Sequence, residues 1–384
     1  MADELTAILT QFGIPNEIFL AIIVIVLLVV GAVVVIIVSR PVLDIYPYLL
    51  PNAKIRARKG RLFDTKEFSE IIEADDHKEI TNYLRGFPDY AKHLDDHSIE
   101  KSLDIQLGET YELLSKIAPD DVGKVFTVLS KKSDIANIKS LIASIEANLS
   151  KDETIDLLIP VGSLYPTCEQ LVDSNTIEDI VAGLDGTEYS SILEDALREY
   201  NENGMILPLE SALDKYFLEN LLSASSVPSD DNIRILHSYI GLQVDVANLK
   251  VIIRSKVDGL KYDSISPHII SNGYQIKEWK LKDLMESENV TSIVNGLEGT
   301  DYSSVLNEAL GTYNETGSAS VFEKALDEYI VTYATSLSLK NPLGIGPIIG
   351  YINKKEKEIK NLKIIVRAKR ENNLEIADIQ EMLI

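Results

Sequence analysis

One short phrase recurs three times along this chain, at a spacing too long for a solenoid and long enough for a domain. It reads Asp134-Ile-Ala-Asn137-Ile-Lys139-Ser-Leu-Ile, then Asp245-Val-Ala-Asn248-Leu-Lys250-Val-Ile-Ile, then Glu358-Ile-Lys-Asn361-Leu-Lys363-Ile-Ile-Val, in steps of 111 and 113 residues. A carboxylate, an asparagine three residues on and a lysine two further, inside an apolar helical pattern, points to duplication rather than chance. Units of roughly 110 residues can each carry a core of their own. The chain reads as a triplicated domain.

More of the repeat surrounds the phrase. Gly183-Leu-Asp-Gly-Thr-Glu-Tyr189-Ser-Ser-Ile-Leu matches Gly296-Leu-Glu-Gly-Thr-Asp-Tyr302-Ser-Ser-Val-Leu, with a fainter first copy at Leu84-Arg-Gly-Phe-Pro-Asp-Tyr90. Glu100-Lys-Ser-Leu103-Asp104 aligns with Glu210-Ser-Ala-Leu213-Asp214 and Glu323-Lys-Ala-Leu326-Asp327. Copy one is shorter by about eleven residues, which copies two and three spend on 194–205 and 307–318.

The units read as helical. Leu103, Leu107, Tyr111 and Leu114 form an apolar stripe on one face, repeated as Leu213, Phe217, Leu221 and as Leu326, Ile330, Tyr333. Asp173-Ser-Asn and Ser287-Glu-Asn supply short acceptors at helix starts. Pro119, Pro160, Pro228 and Pro342 fall where helices stop or begin. Period-2 alternation is largely missing, so a sheet is not expected. The expectation is an all-α protein with three similar helical domains at 53–150, 151–263 and 264–384.

A membrane segment precedes them. Residues 19–38 contain no charged or polar side chain, and twenty residues at 1.5 Å each span about 30 Å, the hydrocarbon thickness of a bilayer. A signal peptide fits less well: Asp3, Glu4 and Glu17 precede the run, no basic residue does, and no small-x-small cleavage site follows. The reading is a tail at 1–17, a transmembrane helix at 18–39 and a linker at 40–52. Basic residues gather after the segment, at Arg40, Lys54, Arg56, Arg58, Lys59 and Arg61, which places the short N-terminus outside and the repeats in the cytoplasm.

Composition narrows the function classes. A formal net charge of −23 repels phosphate and argues against nucleic-acid binding. Arg56, Arg58 and Lys59 belong to a local basic run, five basic residues in eight; a solvated helix face is the default, contact with headgroups or an acidic partner the functional alternative. The single cysteine, Cys168, excludes an internal disulfide framework. His93 and His97 could share a helix face, but two ligands do not make a metal site. Gly344-Ile-Gly-Pro-Ile-Ile-Gly350 has the wrong spacing for a dinucleotide loop and reads as a helix-breaking turn. No catalytic constellation, P-loop, cofactor site or metal site emerges. The apolar segment carries no carboxylate, so it cannot itself shuttle an ion.

The repeated polar residues have two readings. As structure, Asn137, Asn248 and Asn361 bond neighbouring helices, or one another where three units meet, while Asp134, Asp245 and Glu358 pair with Lys139, Lys250 and Lys363 on their own helices. As function, the triplet presents one ring of contacts to a partner.

Three helical units carrying this Asp/Glu-x-x-Asn-Leu-Lys-x-Ile-Ile phrase resemble the C subunit of archaeal A-type ATP synthases, in a family that includes the d subunit of vacuolar ATPases. The last copy, from Pro347 through Lys369, and the basic stretch Ala53–Leu62 carry the likeness, which covers about residues 46–384. The resemblance implies a non-catalytic protein, one copy per complex, whose three domains form a pseudo-threefold funnel. It implies a place between the central stalk and the membrane rotor ring, transmitting torque. The hydrophobic leader departs from the family pattern and suggests a lineage-specific, archaeal anchor in the lipid bilayer. The main alternative is a membrane-tethered helical adaptor with three similar docking faces; a nucleotide-dependent membrane enzyme rests only on Gly344–Gly350.

Overall fold

The structure, a computed structural model, describes residues 16–226, 230–371 and 374–384. Pro228 and the tail residues 1–15 lie outside the described residues. Helices make up most of the described chain, and no strand occurs among the described residues. Two compact units emerge, Met1–Leu50 and Pro51–Ile384.

The first unit is dominated by one helix that runs from Asn16 to Lys59. Its described side chains from Leu20 to Val38 are all exposed, around the whole circumference. An all-apolar surface of that kind is stable only against lipid or another apolar phase. Residues 40–52, expected as a linker, continue the helix despite Pro41, Pro47 and Pro51. Each proline removes one backbone donor but leaves the rest of the ladder.

The body of the second unit is built from short capped helices around a few long ones. Its helix starts are chosen by local side chains. Asp64 accepts from the Lys66 amide while Glu67 reaches back to Asp64 N, fixing the start of Thr65–Glu73. Ser150 with Glu153 does the same for Lys151–Leu157. Of the two caps expected from sequence, Asn289 caps Val290–Gly296. The other helix, Ile177–Gly183, is capped by Thr176; Asp173 is spent on a preceding 3-10 turn. Pro119 stands at the start of Asp120–Ser130, and Pro342 in the turn between Ser320–Lys340 and Gly346–Glu371. Gly204 and Gly317, in corresponding copies, end Ser190–Asn203 and Asp301–Thr316 with φ of 70° and 69°, a left-handed conformation that glycine adopts without penalty.

Three apolar cores follow one plan. In the first, Ile135, Ile138, Leu141 and Ile142 from the phrase helix pack with residues between Leu158 and Leu213, Tyr189 among them. In the second, Leu242–Ile253 packs with residues between Ile265 and Leu326, around Tyr302. In the third, Ile359, Leu362, Ile365 and Val366 pack with Ile379 and with residues between Phe63 and Leu103, around Tyr90. The first two cores therefore straddle positions 150 and 263, and the third joins the two ends of the body. The stripe residues Leu103, Leu213 and Leu326 are all fully buried in these cores.

Candidate functional site

The phrase helices each carry a clamping asparagine, a buried acid and a lysine in an ion pair. The asparagine is buried and clamps a backbone segment that follows it. Asn137 donates to Ile159 O at 2.9 Å and accepts from Ile159 N at 2.7 Å. Asn248 does the same to Ile270, at 2.7 and 2.9 Å. Asn361 holds the C-terminal Ile384, at 3.2 and 3.1 Å. A primary amide holds N–H donors and a carbonyl acceptor on one carbon, so it can bond both the C=O and the N–H of a single residue. The asparagines bond connecting backbone rather than one another.

The acid of the phrase holds the next turn of the same connection. Asp134 accepts from Leu164 N and Ser163 Oγ, both at 2.8 Å. Asp245 accepts from Gln275 N at 2.6 Å and from the Tyr302 hydroxyl at 2.9 Å. Close approach requires glycine opposite: a Cβ at Gly162 or Gly273 would lie 2.3 Å or 1.8 Å from the carboxylate oxygen. Burial pushes the Asp134 carboxyl upward and Asp245 up to about 6, against the pull of their hydrogen bonds. Glu358 is set differently. It accepts from Phe63 N at 2.7 Å, from the Tyr90 hydroxyl, and from Lys355 Nζ at 2.9 Å. Lys355 is only 2% exposed and also meets the Tyr90 hydroxyl.

The lysine does not pair with the acid of its own helix. Five residues separate them, which puts them on different faces. Each reaches the aspartate beside the stripe leucine of its own core instead: Lys139 to Asp214 at 2.6 Å, Lys250 to Asp327 at 2.5 Å, Lys363 to Asp104 at 2.5 Å.

Two of those contacts open onto a cleft of about 420 Å³ that collects Asp104, Tyr111, Lys132, Gln243, Asp327, Glu356, Lys360 and Lys363 among its walls. Lys132, Gln243 and Glu356 hold one register position, two residues before the acid of each phrase. Lys132 pairs with Glu356 at 2.8 Å, and Tyr111 donates to the same carboxylate at 2.7 Å. Sequence reasoning missed this trio, although the repeat register would have found it.

The basic run near residue 56 is divided between roles. Arg56 donates to Pro342 O at 2.8 Å, and Asn52 to Gly344 O at 2.9 Å. Arg58 lines a second cleft with Arg61, Asp89 and Lys116. Lys59 is half-buried, its amine lowered by burial and then by Lys354 and Arg56. Gly344–Gly350 belongs to the turn and start of the last long helix, where a Cβ at Gly346 would meet Leu337 O at 2.4 Å. His93 faces Glu109 at 3.3 Å, and no group of three potential metal ligands gathers among the described residues. Burial pushes the Cys168 thiol up to about 12, so it is inert at neutral pH.

The buried amides and acids of this arrangement are engaged in holding backbone. A profile described as ATP synthase (C/AC39) subunit matches residues 51–382. The chain belongs to that family. It is 57% identical over 384 residues to the C subunit of the A-type ATP synthase of Methanobrevibacter smithii, covering 100% of both chains. It is 51% identical to that of Methanothermobacter thermautotrophicus, again over 100% of both. The Pyrococcus horikoshii protein of the same name is 30% identical over 329 residues, 84% of this chain and 86% of its own. The role is that of a non-catalytic stalk component of the rotary complex.

Proposed function

We propose that the body is a torque coupler: three similar units about a pseudo-threefold axis form a funnel that receives the central stalk and rests on the membrane rotor ring. The observation that carries this reading is the convergence of Lys132, Gln243 and Glu356, one register position from each unit, on a single cleft, with Lys132 paired to Glu356 at 2.8 Å. Equivalent residues of three units meet in one place when the units are arranged about a shared axis. Each unit then begins with its phrase, and the third is completed by residues 63–104, so the repeat boundaries lie near 131, 242 and 355 rather than at 150 and 263. The clamped asparagines and their acids are structural. Arg58 and Lys59 are the basic side chains left to meet a headgroup or acidic partner. The leader at 18–38 crosses the bilayer, with the body on the cytoplasmic face and one copy per complex.

A charge swap in the cleft tests the docking reading. Glu356→Lys alone breaks the pair with Lys132; combining it with Lys132→Glu restores a pair of reversed sense. The expected outcome is that the double variant recovers stability while coupled ATP synthesis in membranes stays several-fold low and stalk proteins are lost on purification. Full recovery of synthesis by the double variant would make the cleft a purely internal contact and defeat the reading.

A further inference from the structure

We propose that residues 18–38 stand inside the central opening of the rotor ring, bathed in lipid, and spin there as an axial pin. This rests on the torque-coupling reading above and adds to it the position of the leader. Three observations lead to it. First, the apolar run is as long as the hydrocarbon is thick: 21 residues at 1.5 Å each give about 30 Å. Second, its described side chains from Leu20 to Val38 are exposed on every face. Gly31 and Ala32 are the only small residues after Ala21, so it lacks the repeated small-residue seam by which a membrane helix packs closely on a protein neighbour. Such a surface is matched by lipid on all sides. Third, the leader and the body are one polypeptide, so the leader is tethered to the stalk component.

Rotation then selects the place. A leader attached to a turning body must turn with it. Off the axis it would sweep a circle through the bilayer and meet the stationary membrane proteins of the complex on each revolution. On the axis it rotates in place, and lipid presents no fixed side-chain register to oppose it. The segment has no carboxylate, so it takes no part in ion movement. The family match begins at residue 51, so the leader lies outside it, while the Methanobrevibacter smithii relative aligns along its full length. An accessory that centres the funnel fits such a distribution.

The test uses the intact complex from native membranes, with N-terminal sequencing of this chain and a cryo-EM map of the ring. The expected result is an uncleaved leader and a single helix in the ring's central opening. A leader lying against the outer wall of the ring overturns the pin, as does an empty opening with the leader intact, or a leader removed in maturation. In each of those cases the torque reading survives, provided ring and stalk co-purify with the body. Purification of the chain without a ring would instead overturn the torque reading and the pin together.

Discussion

The second and third cores do the same job with different chemistry. In the second, every element follows its predecessor along the chain, and Asp245 needs only two backbone amides and the Tyr302 hydroxyl to hold its loop. In the third, the phrase helix lies near one end of the chain and its partners near the other, and a buried Lys355–Glu358 pair bridged by Tyr90 takes over. Where the backbone supplies the connection, a network without a counter-charge is sufficient. Where it does not, the sequence places a full charge pair whose loss is expensive, and that makes the joint specific.

The largest effect should come from breaking that pair. Lys355→Met leaves Glu358 buried without its counter-charge and should cost about 3–5 kcal/mol. Denaturation of the full-length chain in detergent measures the loss, and hydrogen exchange should rise in 63–103 and 359–379 but not in 265–326. Equal opening of the second core would erase the contrast.

Next comes pH. The Asp245 carboxyl has a folded-state pKa of about 6, raised by burial above its ordinary 3.8. The folded form therefore binds more protons than the unfolded form between those values, and stability falls as pH rises through about 6. A shift of this size corresponds to about 3 kcal/mol over the whole window. Asp245→Asn should flatten the stability profile between pH 4 and 7, and an unchanged slope would remove Asp245 as its source.

The clamps sharpen the comparison further. Asn248→Ala strands the N–H and C=O of Ile270 in a buried site and should cost about 2–3 kcal/mol. Asn361→Ala acts at Ile384, which is partly reached by water, and should cost about 1 kcal/mol. Equal losses in thermal or chemical unfolding would show that the chain end is held as firmly as an internal loop. The smallest effect belongs to Lys139→Ala. Its partner Asp214 is 62% exposed, so the loss should stay below about 1 kcal/mol and shrink in salt.

Much of this was legible because repetition marks position. The phrase gave the register, and the register located Asn137, Asn248 and Asn361 at corresponding places against backbone 22 or 23 residues on. The apolar stripes on Ile99–Ile117, Leu207–Ala224 and Ser320–Lys340 follow from helical period alone. Partner choice was not legible. A repeated lysine and a repeated aspartate say nothing about whether pairing is within a copy or to the next, since both satisfy the same local pattern. Nor does anything local to Lys355 announce Tyr90, 265 residues away. Residues 40–52, read as a linker, are helical although they hold three prolines, and the cap expected at Asp173 falls to Thr176 because Asp173 closes a preceding 3-10 turn.

The third core also sets a timetable for synthesis. Phe63–Leu103 leaves the ribosome early, and its apolar partners at 359–379 leave almost last. At elongation rates of about 5–20 residues per second, the first-made segment waits roughly 15–50 s for the helix that covers it. Nascent chains halted before residue 359 should therefore remain protease-sensitive in 63–103 while 135–213 is already protected.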